Sequence, residues 1–350
     1  MMNRAPLSLE QLINTSYVKY DVLTKLINQE LGNSSAEEIY IIIDLNSVIK
    51  SLNTANLNNI AINPYKYDLA ACIVNMIAHY RRFFKTRYAV YSHFHLVFNP
   101  GNETDSGKIC YGYHTPNIQY HDMKTYVYNN IMALNEVLAH ISDCCITICN
   151  AETGAIIKGI DTNDDIPTML ISKDIYNYQL LRNNLIDFIL VPRKYKGEDS
   201  SYIVNHSNVG IYFAEKRNIT TPYQFNFLEN YSLLLSMTMM PERNLKSLVS
   251  MNKAVEYLNA AINNGNMVDK HLNSINDKLD VLIGMFPILG KYYTEINNRY
   301  RVIDIDLQYD RLLSRPDFLI SYPKNYYDMK TLESLLNSYF KGTIIKTEDL

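Results

Sequence analysis

The run Ile39-Tyr40-Ile41-Ile42-Ile43 is apolar without a break and ends in Asp44. A strand wetted on one face would alternate apolar and polar positions. An unbroken, β-branched run of this length predicts a strand covered on both faces, as in a parallel sheet. Phe94–Phe98 has the same character, and the shorter runs Cys145–Cys149, Met169–Ser172 and Phe188–Val191 predict three further strands. Between them the period changes. Leu69, Ile73, Met76, Ile77 and Tyr80 fall on one face of a helix over 67–85, and 122–142 reads as a second helix. Ahead of the first strand, Ser8 followed by Gln11 has capping-box spacing, and Leu9, Leu12 and Ile13 begin an apolar stripe, so residues 1–36 read as a helical N-terminal segment. Asn99–Asn117 carries the Gly and Asn of a loop. Tyr202–Val204 and Val209–Phe213 flank His206-Ser207-Asn208 and predict a hairpin. From residue 222 onward the pattern is mostly helical. There YRVIDIDLQYDRLL and the stretch Met329–Phe340 suggest a helical cap with an added strand. Strands alternating with helices give an α/β class with a central, mostly parallel sheet. Neither an internal repeat nor a low-complexity tract is present.

Charge changes the picture by exclusion. The 350 residues carry 33 Lys+Arg against 36 Asp+Glu, a formal charge of -3. That balance disfavours a protein that grips nucleic acid mainly by charge. A hydrophobic share of 47% is ample for a core and excludes global disorder. The longest apolar candidate, Val281–Leu289, is interrupted by Pro287 and falls short of the roughly 18 residues of a membrane span. No signal-peptide pattern opens the chain, so a cytoplasmic or virion location is expected. Five cysteines without C-x-x-C spacing argue for reduced thiols rather than disulfides or zinc. There are 29 Tyr and no Trp, and about one residue in nine is Asn; these follow from AT-rich codons.

Three carboxylates stand where chemistry is expected. Asp44 ends the first strand, Glu152 follows CITIC, and Asp174 follows MLIS in Ser172-Lys173-Asp174. In a parallel sheet, ligands bind outside the carboxyl ends of the strands, where these three would converge. Oxygen ligands from separate elements suit Mg²⁺ or Mn²⁺. Helix capping is the competing and more common use of such residues. The motif His93-x-His95 shares one strand face, with partial burial favoured over a metal role. Arg81, Arg82, Lys85 and Arg87 form the basic cluster of the chain, either a phosphate contact or a solvated helix end. Asp161, Asp164 and Asp165 lack the closing Glu of a calcium loop and read as a capping turn. No nucleophile elbow, Walker A or dinucleotide glycine motif occurs.

Five segments, in order over residues 39–260, resemble the 5′ nuclease family of flap endonucleases and phage-type RNase H enzymes, within the wider PIN-like fold. IYIIIDLNSVI resembles its first strand with a terminal Asp, and Phe98-Asn99 stands where the family has Phe-Asp. Glu152-Thr153-Gly154-Ala155 stands for Glu-Ala-Asp-Asp, and Ser172-Lys173-Asp174-Ile175-Tyr176, followed by Tyr178-Gln179-Leu180, for Ser-x-Asp-x-Asp with its tail. Pro222-Tyr223-Gln224 resembles the Pro-x-Gln before the family's helix-three-turn-helix. The resemblance implies a three-layer 5′-nuclease-like domain over 37–215, a degenerate helix-three-turn-helix region over 216–270 and a C-terminal helical cap over 271–350.

The departures bear on function. Of about seven carboxylates holding two metals in the family, Asp44, Glu152 and Asp174 remain; Asn99, Gly154, Ala155 and Tyr176 replace others, and Met237-Thr238 and Pro241-Glu242-Arg243-Asn244 stand where further acids belong. The family's phosphate-binding Gly-x-Gly becomes Val249-Ser250-Met251, ahead of Asn252-Lys253, with no glycine to let a phosphate approach the backbone. Residues 101–130, in place of a basic arch, carry Lys108 and Lys124 against Glu103, Asp105 and Asp122. Their tyrosines Tyr111, Tyr113, Tyr120, Tyr126 and Tyr128 suit packing or a protein interface better than base stacking. The expectation is a catalytically degenerate nuclease fold that needs no cofactor, binds proteins of a larger assembly and, given the AT-rich codons and phage-type resemblance, forms part of a tailed-phage particle. The alternative is a reduced nuclease that hydrolyses phosphodiesters with one Mg²⁺ or Mn²⁺ on Asp44, Glu152 and Asp174. In either case Arg81, Arg82, Lys85 and Lys253 are the candidate nucleic-acid contacts, weakly supported by charge.

Overall fold

The structure is a computed structural model and describes residues 18–32, 36–51, 67–101, 121–163, 165–195, 198–238, 245–264, 274–316, 318–322, 328–340 and 350. The expected capping box at Ser8, most of the 99–117 loop with Tyr111 and Tyr113, and also Tyr120, His114, Asp164 and 241–244 lie outside these residues.

Helix α1 (Tyr20–Leu31) leads to β1 (Glu38–Asp44), which runs directly into α2 (Leu45–Ser51). Then come α3 (Asp68–Tyr88), β2 (Tyr91–Phe98), α4 (His121–Leu138), β3 (Cys144–Ile148), α5 (Thr153–Lys158) and β4 (Thr168–Ile171). A 3₁₀ helix (Ile175–Asn184) precedes β5 (Phe188–Val191), the two-stranded ribbon β6 (Lys194–Tyr195) and β7 (Glu198–Asp199), and β8 (Tyr202–Asn205). The rest is helical: α6 (Val209–Arg217), α7 (Phe227–Met237), α8 (Met251–Asn263), α9 (Ile275–Met285), a 3₁₀ turn (Pro287–Tyr292), α10 (Tyr293–Ile303), α11 (Ile305–Leu313) and α12 (Met329–Tyr339).

The central sheet has the order β3-β2-β1-β4-β5-β8; the first five strands are parallel and β8 is antiparallel to β5. Both faces of β1 are buried, which accounts for its unbroken apolar run. Ile39, Ile41 and Ile43 join one core, with residues of α1, α3, α4 and α12. Tyr40 and Ile42 face a second core, built with α5, the 3₁₀ helix and helices α6 to α11. The sheet thus lies between two helical layers. The second core runs from residue 40 to residue 312, so the region expected at 216–270 and the helices α9 to α11 of the region expected at 271–350 pack on the sheet through the same cluster, while α12 and Leu350 join the first core.

Two expectations change. Val209–Phe213 is not the second arm of a hairpin but the start of α6. The Asn205 Oδ1 accepts the N–H groups of Ser207 (3.0 Å) and Asn208 (3.1 Å), which curls the chain into a helical turn. Val209 and Phe213 are then four apart on the buried side of a helix. The added strand expected near IDID is absent among the described residues. Asp304 accepts from the N–H groups of Asp306 and Leu307, ending α10 and capping α11.

Side-chain amides fix the helical region. On α8, Asn252 accepts from the Thr220 and Thr221 N–H groups, while Asn259 accepts from Gln224 N–H (2.8 Å) and donates to the Pro222 carbonyl (2.9 Å). Spaced seven apart, the two lie on one helix face and hold 220–224 against it. Arg299 of α10 is buried and donates to the carbonyls of Thr238 and Lys246. No helix among the described residues is long and apolar enough to cross a membrane.

Ile41 is fully buried on the central strand, so Ile41→Ala should cost about 2–5 kcal/mol in urea unfolding. Ile211→Ala, at a side chain 62% exposed, should stay within about 0.5 kcal/mol of wild type.

Candidate functional site

Strand order reverses at β1: the chain proceeds from β1 outward through β2 to β3, then crosses to β4 on the other side. In open α/β sheets the ligand crevice lies at this switch point, beyond the carboxyl ends of the strands. Asp44 ends β1 there and is buried, and Ser172-Lys173-Asp174 follows β4, the neighbour of β1.

The Asp44 carboxylate is gripped by neutral protein donors. Oδ1 accepts from the Ser47 N–H (3.1 Å), so Asp44 caps the first turn of α2. Oδ2 accepts from the Ser172 hydroxyl (2.8 Å) and the Asn177 amide (3.2 Å). The Asn177 amide also donates to Ser172 Oγ (3.0 Å), which in turn accepts from Asp174 N–H (3.0 Å). Lys173 N–H donates to Ser47 Oγ, closing a ring of bonds between the β1–α2 and β4–3₁₀ junctions. Hydrogen bonds to a buried charge are strong, about 1.5–3 kcal/mol each, so this is a stiff junction.

Of the other two carboxylates, Asp174 accepts from Tyr176 N–H and caps the 3₁₀ helix. Glu152 is buried at the N-cap position of α5, without a side-chain capping bond. A divalent cation needs oxygen lone pairs turned toward it. Around Asp44 a hydroxyl, an amide and a backbone N–H present hydrogens instead. The donor set therefore fits a hydrogen-bonded carboxylate. Among the described residues no group of three or more His, Cys, Asp and Glu is arranged to hold a metal ion.

Asn99, Gly154, Ala155 and Tyr176 have structural tasks. Asn99 N–H donates to Asn46 Oδ1 (2.8 Å) and the Asn46 amide donates to the Asn99 carbonyl (2.7 Å), pinning the end of β2 to α2. The Asn99 side chain accepts from Gly101 N–H. Ala155 and Tyr176 are buried in the second core. At Gly154 a Cβ would lie 2.7 Å from Ile305 Cδ1 and 3.0 Å from Asn177 Oδ1. Ile305 of α11 thus occupies the space beside α5 that a side chain at 154 would need. Next to it, Asp306 pairs with Lys158 of α5 and Arg182 of the 3₁₀ helix, clamping α11 over these elements.

The basic candidates separate. Arg81 is buried: its guanidinium donates to the carbonyls of Ser142 (2.9 Å) and Leu350 and lies over the Phe94 ring. Arg82 and Lys85 are exposed on α3. Lys253 is exposed, donates to Glu256 (2.9 Å) and lies over Tyr257; the Glu256 hydrogen bond raises its pKa. Within Val249-Ser250-Met251, Ser250 Oγ caps α8 by accepting Lys253 N–H. Tyr126 is buried and Tyr128 exposed on α4.

His93 and His95 share a sheet face but have separate partners. His93 contacts Glu38 (3.2 Å) and Asp143 (3.6 Å). His95 is buried between the Tyr40 hydroxyl (3.2 Å) and Thr147 Oγ1 (2.9 Å), and burial lowers its pKa to about 4. The described cysteines are free, and burial pushes the thiol pKa up to about 12 for Cys72 and about 11 for Cys144, leaving them unreactive. At the expected capping turn, Asn163 Oδ1 accepts Asp165 N–H.

Sequence reasoning missed Ser47, Ser172, Asn177 and Ile305 as parts of this junction. The first three stand within three residues of Asp44 or Asp174, and that proximity was the available signal. Ile305 comes from a remote helix and leaves none.

The chain matches no protein-family model, and no curated protein matches it.

Two outcomes follow from this geometry. Gly154→Ala should cost about 1–3 kcal/mol by overpacking, and much of that cost should disappear in an Ile305→Ala background, read as a coupling of at least about 0.5 kcal/mol in a double-mutant cycle. The unfolded chain takes up a proton on His95 near the ordinary value of about 6.5, the folded protein only near 4. Between those values the folded state binds fewer protons, so stability falls as pH drops from about 6.5 to about 4, by roughly 2–4 kcal/mol, and levels off below. In chemical denaturation across this range, His95→Gln should lose about one proton of the slope.

Proposed function

We propose that this chain is a PIN-like, 5′-nuclease-like α/β fold whose catalytic crevice has become a packed junction, and that it serves as a non-catalytic structural or assembly component. One observation carries the reading. At the switch point, where a ligand would bind, the central carboxylate accepts hydrogen bonds from Ser47, Ser172 and Asn177, and α11 presses Ile305 against Gly154. A hydrolytic site needs open coordination positions and room for a phosphodiester; here hydrogen-bond donors and an aliphatic side chain take that room. The same reading has the protein bind other proteins of a larger assembly, a phage particle being the assembly to which the sequence points. It needs no cofactor and makes no use of a nucleic-acid grip. The inward turn of Arg81 and the pairing of Lys253 with Glu256 support that side of it.

The test is a calorimetric titration of Mn²⁺ into the wild-type protein and Asp44→Ala, followed by incubation of each with 5′-flap and 5′-overhang DNA in Mg²⁺ and in Mn²⁺. The expected result is no binding that depends on Asp44 and no cleavage. Saturable binding and metal-dependent cleavage, both lost in Asp44→Ala, would replace this reading with a reduced nuclease using Asp44, Glu152 and Asp174.

A further inference from the structure

Helix α1 joins the first core through one narrow apolar face, Leu23, Ile27 and Leu31. Its polar attachments include three side-chain or backbone bonds along its length. Lys19 N–H donates to Asp199 (2.9 Å), the Tyr20 hydroxyl donates to the His79 carbonyl (3.3 Å), and the Tyr88 hydroxyl donates to Asn28 Oδ1 (2.7 Å). At the last turn, the Asn205 amide donates to both carboxylate oxygens of Glu30 (3.0 and 3.3 Å). An element held by few buried contacts opens locally at less cost than the sheet does. Asn205 is the meeting point. It ends β8, and its Oδ1 is occupied by the Ser207 and Asn208 N–H groups that turn the chain into α6. Its amide is thereby left to hold α1.

Glu30 is poorly placed as an anion. It lies in the last turn of α1, where the free carbonyls of a helix disfavour negative charge. It is partly buried. Asp187 adds a second carboxylate: it precedes Phe188 of β5, whose register partner is Asn205, and its Oδ2 accepts Thr168 N–H (2.7 Å). Among the described residues neither Glu30 nor Asp187 makes an ion pair. Partial burial, opposed by the Asn205 bond and reinforced by the Asp187 charge, raises the Glu30 pKa.

We infer that Glu30 is a proton-dependent clasp: with a proton taken up in mild acid it docks α1 firmly on the end of β8, and on losing that proton toward neutral pH it loosens the helix. Protonation removes the charge from the helix end and from Asp187. It leaves one oxygen to accept from Asn205 and adds an O–H donor. The folded state holds this proton more tightly than the unfolded chain does. The added docking strength is therefore complete below the ordinary carboxylate range and is lost as pH rises through the folded value. That is opposite in sense to His95, which destabilises the whole fold on acidification, and it is local to α1. The clasp lies apart from the Asp44 junction and does not depend on the structural reading of that junction.

Hydrogen exchange on the full chain, read by mass spectrometry and corrected for the intrinsic pH dependence of exchange, would compare α1 with α4 as an internal reference. From pH about 7.5 to about 5, protection of α1 relative to α4 should rise at least about threefold in the wild-type protein. Glu30→Gln keeps an acceptor for Asn205 and carries no charge. It should hold α1 at neutral pH at least as firmly as the wild type in acid, with less than about a 1.5-fold change over the same range. Asn205→Asp keeps the acceptor that turns the chain into α6 but sets a third carboxylate against Glu30, so the rise should be larger than in the wild type. A flat wild-type profile, an equal rise in Glu30→Gln, or no larger rise in Asn205→Asp would overturn the clasp.

Discussion

Asp44 is a charge buried where the sheet reverses its strand order, and the surrounding structure is arranged to keep it there. A carboxylate taken out of water is costly unless hydrogen bonds or an opposite charge compensate it. The compensation comes from the two junctions that flank it in space. Ser47 opens α2, and Ser172 and Asn177 bracket the turn into the 3₁₀ helix. Each donor is placed by the strand or helix that carries it, so the parallel pairing of β1 with β4 is what brings the ring of bonds into register. In turn, the ring fixes how the chain enters the 3₁₀ helix, against which α5 packs and to which Asp306 of α11 is paired through Arg182.

A carboxylate at this location admits two uses. With lone pairs and open space it gathers cations; with donors and packed neighbours it caps and braces. The hydrogen bonds around Asp44 are of the second kind. Ile305 fills the space beside Gly154, and the pairs of Asp306 with Lys158 and Arg182 hold α11 in place at the periphery. Those ion pairs are partly exposed and contribute modestly by themselves; the larger effect is the apolar contact they keep in register. Asn99, bonded to Asn46, and Gly154, against Ile305, take part in the packing around this junction.

Much of this was legible in the chain. The unbroken Ile39–Ile43 run marked a strand with both faces covered, and the two cores on either side of β1 are that expectation realised. The placement of Asp44 and Asp174 beyond strand ends was equally readable, since a strand fixes the exit of its last residue. What could not be read was which non-local neighbour meets each carboxylate. Competition between hydrogen-bond donors and cations is decided by tertiary packing, and Ile305 belongs to a helix whose position no local pattern encodes. The segment after Asn208 shows a different failure. Val209–Phe213 alternates well enough for a strand, but Asn205 turns the chain with its own side chain, and that local bond wins over a weak period-two pattern. Arg81 shows a third: beside Arg82 it reads as surface charge, yet its position on α3 turns it inward to the Ser142 carbonyl and the Phe94 ring.

The account rests on Asp44 acting as a structural acceptor, and the stability of Asp44→Asn measures that most directly. An Asn at this position turns one acceptor into a donor facing Ser172 and Asn177 or Ser47, so at least one buried bond becomes a donor–donor conflict. Urea unfolding at neutral pH should show a loss of roughly 2 kcal/mol or more. A variant as stable as wild type, or more stable, would mean that the carboxylate is held at a cost to the fold, as ligands in working active sites commonly are, and would contradict the structural role assigned to it.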